Sequence, residues 1–300
     1  GNRCARVMLL VDIGNSRVKW ATYDRGQLGV QHASAYSGWT LDDWRRALFQ
    51  APGVDNVLVA SVAGEASAAL LTEAARLETG KPAAFVATSR EAGGVRNAYP
   101  EPRLLGVDRW LAAIAAYRLA RGACCVADIG TAATLDGVAG DGQHLGGFIV
   151  PGPELMMRSL WRGTSDLASH TATSGDTAGA LFADNTRDAI ERGCRLAVAA
   201  MVDRAVVEMT RRLAPPPQLF LTGGDAPGIE GLIETPARHV PDLVLRGLAV
   251  DPAYQGRGVG RALVDAAIEE ATARGAVKLS LRVLGTNEAV QRESRDNPSE

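Results

Sequence analysis

The chain has 300 residues, 46% hydrophobic and 22% charged, with 32 Lys and Arg against 34 Asp and Glu for a formal net charge of -2. This composition suits one large globular domain or two ordinary ones. The balanced charge lacks the basic footprint of a nucleic-acid binder, and no apolar run approaches the ~18 residues of a membrane helix.

In chain order, the start Gly1-Asn2-Arg3-Cys4 does not read as a signal peptide, because no apolar stretch precedes a cleavage site, and Met8 is a candidate native start. Strands are expected over Val7 to Val11, Val18 to Tyr23 and Leu28 to Val30, with a turn at Asp24-Arg25-Gly26, as an antiparallel meander. Thr40 or Asp42 is positioned to cap a helix through Phe49. Asn56 to Val62 reads as a strand, Ala66 to Leu77 as an alanine-rich helix and Ala83 to Val86 as a strand. A Gly- and Pro-rich loop, Gly93 to Pro102, leads into a helix from Trp110 to Ala120.

The strand–turn–strand plan then repeats over Cys124 to Ala127, Ala132 to Val138 and Leu145 to Val150. Pro153 is a good first-turn residue for another helix. Gly163 to Gly179 reads as a mobile loop. A long helix from about Arg187 to Leu213 ends at Pro215-Pro216-Pro217, and the strand Gln218 to Thr222 runs into Gly223-Gly224-Asp225. The four cysteines, Cys4, Cys124, Cys125 and Cys194, form no C-x-x-C pair and have no His partner at zinc spacing. Cys124 and Cys125 point to opposite faces of their strand. Buried, reduced thiols in a cytoplasmic enzyme are the expectation.

Two stretches rhyme. Asp12-Ile13-Gly14-Asn15-Ser16 closes the first strand, and Asp128-Ile129-Gly130-Thr131 closes its counterpart. In each, a buried strand delivers a carboxylate and then turns at a glycine that frees backbone N–H groups for a phosphate. The aspartate can hold a cation that neutralises phosphate charge, and Lys19 can reach a phosphate from the second strand. Either turn alone also fits an ordinary hairpin. Thr134 belongs to the second turn, Asp136 adds a carboxylate, and Thr222 to Asp225 forms a third glycine turn suited to a base or ribose. Between the rhyming turns lies Gly106-Val107-Asp108-Arg109. Asp108 at a helix N-terminus is a candidate proton acceptor for phosphoryl transfer. Arg109 can hold an anion by forked hydrogen bonds.

Together with Gly146-Gly147-Phe148-Ile149-Val150-Pro151-Gly152, these motifs resemble the type III pantothenate kinases from about Met8 to Leu248. The resemblance implies an α/β fold of two ribonuclease-H-like, actin-like ATPase halves with mixed sheets flanked by helices, here 8–115 and 116–248. It implies transfer of the ATP γ-phosphoryl to the 4′-hydroxyl of pantothenate, in a homodimer that needs Mg2+ and a monovalent cation, K+ or NH4+. Residue by residue, it implies that Asp12, Ile13, Gly14, Asn15, Ser16, Arg17, Val18 and Lys19 hold ATP phosphates and that Thr131 contacts ATP. Tyr99, Gly106, Val107, Asp108 and Arg109 line the pantothenate site, with Asp108 the base. Asp128 binds the cation, and Thr186 touches pantothenate across the dimer. Ser16 stands where the family often has threonine.

Beyond residue 248 the chain changes character. Gln255-Gly256-Arg257-Gly258-Val259-Gly260 resembles the pyrophosphate-cradling motif of GNAT N-acetyltransferases. Only about half of such a domain fits into 249–300, so the segment is expected to be a short α/β appendage and polar tail. Two other functions stay open on these residues: a non-catalytic actin-like binding protein such as a transcriptional accessory factor, and an acetyl-CoA-dependent acetyltransferase working through this segment.

Overall fold

The computed structural model describes residues 7–163 and 182–250. The expected loop from Gly163 to Gly179 lies almost wholly outside these residues, and the GNAT-like motif lies outside them entirely.

The first half opens with β1 (Val7–Ile13), β2 (Arg17–Asp24), β3 (Gln27–Leu28) and β4 (His32–Ala35). Helix α1 (Leu41–Leu48) follows. Its cap is Thr40, whose side chain accepts from the Asp43 N–H while Asp43 returns a bond to the Thr40 backbone. Next come β5 (Val54–Ser61), α2 (Glu65–Thr79) and β6 (Ala84–Phe85). The sheet order is β3-β2-β1-β5-β6, with β4 also on β2. β1 runs antiparallel to β2 and parallel to β5.

A small hairpin, β7 (Glu91–Ala92) with β8 (Val95–Arg96), occupies part of the expected loop and leads to α3 (Val107–Ala120). The second half then supplies β9 (Cys124–Ile129), β10 (Ala132–Val138) and β11 (His144–Pro151). After α4 (Pro153–Gly163) and α5 (Thr186–Arg212) come β12 (Gln218–Thr222), α6 (Pro227–Glu230), β13 (Ala237–His239) and α7 (Leu243–Ala249). The second sheet is ordered β11-β10-β9-β12-β13. Its β9 is antiparallel to β10 and parallel to β12. The two halves therefore share one plan, a three-strand meander followed by two parallel crossover strands.

Strand alternation sorts the side chains into layers. Leu9, Val11 and Ile13 pack outward with Trp44 of α1 and Leu71 of α2. Cys125, Ala127 and Ile129 pack outward with Val198 and Val202 of α5. The inner faces meet in the middle: Leu10, Leu58, Cys124, Val126 and Phe220 close around α3 and α7. Helix α3 is accordingly buried over most of its circumference, from Val107 to Ala116, rather than along one stripe. The adjacent cysteines serve different layers, as alternation requires, and burial pushes the Cys125 thiol up to about 12. Among the described residues, no helix is long and apolar enough to cross a membrane.

Candidate active site

Period-two alternation also aims the carboxylates. Asp12 follows Met8 and Leu10 on the inner face of β1, and Asp128 follows Cys124 and Val126 on the inner face of β9. Both stand at strand ends beside the first turn of α3, which carries Asp108. A cleft of about 440 Å³ receives all three, together with Gly14, Asn15, Ser16, Arg17, Lys19, Gly130, Thr131 and the third turn, Gly223 to Asp225. Ser16 Oγ and Thr131 Oγ1 lie 3.0 Å apart across it. Both turns close on a glycine N–H, Gly14 to the Arg17 carbonyl and Gly130 to the Ala132 carbonyl, each at 3.0 Å.

Negative charge is crowded here. Burial drives Asp12 up to about 7, opposed by Lys19, which pairs with it across β1 and β2, and reinforced by the charges of Asp128 and Asp108. Asp128 is likewise raised, first by burial and then by Asp108 and Asp136 against the pull of Lys19. Asp108 is raised by burial, against its 2.8 Å bond from the Arg109 N–H and the Arg109 charge. Gly106 lets that carboxylate fold back over the helix start, since a Cβ there would lie 2.6 Å from Asp108 Oδ1. Gly223 is held by the same logic at φ +96°, where a Cβ would meet the Ile129 carbonyl and Asp128 Oδ1.

Not every expected residue faces the cleft. Ile13 and Val18 are fully buried in the first core, so only their backbone is available to a ligand. Val107 is buried in the central core. Tyr99 and Arg109 lie off the cleft lining and bond each other at 3.2 Å. Asp136, the added carboxylate of the sequence reading, is buried with Arg109: two bonds of 2.6 and 2.8 Å join guanidinium and carboxylate. Thr186 opens α5 and lines a separate apolar groove with Pro151, Leu155, Leu160 and Cys194.

The structure also adds Val62, Ala132, Glu154 and Arg158 to the cleft. Glu154 and Arg158 sit one turn apart on α4, and that i, i+4 spacing was the available signal. The described residues give Arg158 no ion-pair partner.

Two sheets of one plan, with a glycine turn from each meeting at a carboxylate-lined cleft, give the chain an actin-like α/β fold. Structures of similar arrangement include the activator of the 2-hydroxyisocaproyl-CoA dehydratase from Clostridium difficile with bound ADPNP, at 12% identity over 92% of this chain and 100% of that one, TM-score 0.47. MreB 5 of Spiroplasma citri bound to AMPPNP is similar at 13% identity over 88% and 98%, TM-score 0.43.

Within that fold class the chain belongs to the type III pantothenate kinase family, whose model matches residues 8–208. The type III pantothenate kinase of Nitrosococcus oceani is 36% identical over 263 residues, 81% of this chain and 92% of that one. That of Aromatoleum aromaticum is 39% identical over 248 residues, 81% and 97% respectively. A second model, the acetyltransferase (GNAT) family, matches residues 221–292. Its match begins inside β12, well before the change of character expected near residue 248, and its first thirty or so residues are strands and helices of the second half.

Proposed function

We propose that this chain phosphorylates the 4′-hydroxyl of pantothenate with ATP, with Asp108 as proton acceptor. The observation that carries this reading is the convergence of Asp12, Asp108 and Asp128 on one cleft between two glycine turns. The hydroxyl oxygen attacks the γ-phosphorus, its proton passes to Asp108, and the bridging oxygen leaves with ADP. A carboxylate raised by burial is a better base near neutrality than an exposed one. The turns of Asp12 to Lys19 and of Thr131 hold the phosphates.

The donor set fits cations. Asp12, Asp108 and Asp128 bring excess negative charge against Lys19, and burial already resists their ionisation. Mg2+ and a monovalent cation, held by Asp128 and Asp12, would supply neutralisation of phosphate charge. Arg109 and Tyr99 address the pantothenate carboxylate.

The apolar face of α4 and α5 supports a homodimer. Leu160 is 46% exposed and Leu155 37%, and both line a groove of about 820 Å³. Such a dimer gives Thr186 its route to a partner's pantothenate site. ATP dependence and reduced, buried thiols favour a cytoplasmic setting. ADP release, measured with pantothenate and ATP, with and without K+ and Mg2+, tests the whole reading. Pantothenate-independent turnover, or none at all, would refute it.

A further inference from the structure

Arg109 is a cation among the buried residues of α3, with a side chain 6% exposed. Burial works against its charge, and the bonds and charge of Asp136 outweigh that, so its pKa is raised. Behind the pair lies His144, also buried. Its Nε2 is 3.0 Å from Asp136 Oδ1, and its Nδ1 is 3.4 Å from the Ala98 N–H. An amide N–H only donates, so Nδ1 accepts and Nε2 carries the proton to Asp136.

The bonds close a circuit. Ala98 precedes Tyr99, whose hydroxyl accepts from Arg109 Nη1 at 3.2 Å and whose ring stacks on His144 at 6.3 Å and 19°. Gly147 makes room for the circuit: a Cβ there would lie 2.6 Å from both Arg109 Nη2 and Asp136 Oδ1. Arg109 uses three of its five side-chain N–H groups on Asp136 and Tyr99, and two are left for a ligand. A buried ion pair gains little stability over an apolar replacement, so two further side chains, His144 and Tyr99, and a glycine devoted to its orientation point to a role beyond stability.

We propose that Asp136 and His144 are positioning residues that fix Arg109 and Tyr99 for the anionic end of the substrate. The inference rests on the reading that Arg109 addresses pantothenate. Because Arg109 directly follows Asp108, the same clamp fixes the first turn of α3 that carries the base.

The test is steady-state kinetics of the full chain with each substrate varied in turn. His144→Phe keeps the ring and its stacking but removes both nitrogens. The expected result is a pantothenate KM raised about tenfold, the scale of one lost hydrogen bond to a charged group, with the ATP KM changed less than twofold. His144→Gln, which keeps an amide N–H for Asp136, restores most of the loss. Added to Arg109→Gln, His144→Phe raises the pantothenate KM no further. Should His144→Phe not fold, His144→Asn keeps an acceptor for Ala98, loses the bond to Asp136 and reads the same quantity. Equal rises in both KM values, full additivity with Arg109→Gln, or a lower Tm with normal KM overturns the proposal. If Arg109→Gln itself leaves the pantothenate KM normal, the reading of Arg109 fails and takes this inference with it. If Arg109→Gln raises it and the His144 variants do not, this inference alone fails.

Discussion

Ser16 and Thr131, 115 residues apart in the chain, share a hydrogen bond of 3.0 Å that joins the two glycine turns across the cleft. A phosphate entering between the turns can take both hydroxyls as donors. Ser16→Ala should therefore raise the ATP KM several-fold, within the ~0.5–1.5 kcal/mol of a typical hydrogen bond. Ser16→Thr keeps the oxygen and should stay within twofold. Equal KM values for all three proteins would remove Ser16 from nucleotide binding.

Asp108→Asn preserves shape and the bond from the Arg109 N–H but cannot accept a proton. The expected loss in kcat is on the order of 10²–10⁴, with little change in either KM. A near-normal kcat would assign the proton to another group.

Asp12 gives a pH dependence with a definite sign. Its folded pKa is about 7 against the ordinary 3.8, so the native state holds the proton more tightly than the unfolded chain. The stability this contributes is present in full below pH 4 and is lost as the pH rises through 7. Asp12→Asn, which carries no charge, should exceed the parent by on the order of a few kcal/mol at pH 8 and match it near pH 4. Urea melts of the ligand-free protein at both pH values decide this, and a constant difference would contradict it.

Arg158 faces the cleft from α4 with no ion-pair partner among the described residues. Arg158→Ala is expected to raise the ATP KM about tenfold, as loss of a charge-assisted phosphate contact would, and to leave the pantothenate KM within twofold. A change confined to pantothenate would place the nucleotide elsewhere.

Leu160 is the test of the exposed apolar face. Leu160→Arg puts a charge where a partner would have to bury it. Light scattering should show the mass falling to that of one chain. Activity should fall with it if Thr186 completes a partner's site. A parent protein that already runs as a monomer would rule out the dimer.

Much of this was legible in the sequence because alternation and turn chemistry are local. Asp12, Asp128 and the glycines after them could be placed from strand period alone. The helix from Arg187 to Leu213 matched α5 to within a residue at each end. Short edge elements escaped, since two-residue strands such as β7 and β8 carry no periodic signal. Asp136 could be read only as a further carboxylate, for a physical reason: its strand position aims it inward, but only the packing of α3 reveals that Arg109 is its partner. The Gly146-Gly147 pair shows the same limit, because the close approach that Gly147 permits is a tertiary fact.

The placement of β12 has a practical corollary. It lies between β9 and β13 in the second sheet, yet the acetyltransferase match begins within it. Cutting the gene between the two matched regions, after residue 208 and before 221, would strip an interior strand from the kinase and leave the excised piece carrying hydrophobic residues shaped for another partner. Any division of the polypeptide has to spare Val250, which follows α7 and packs against the same central core.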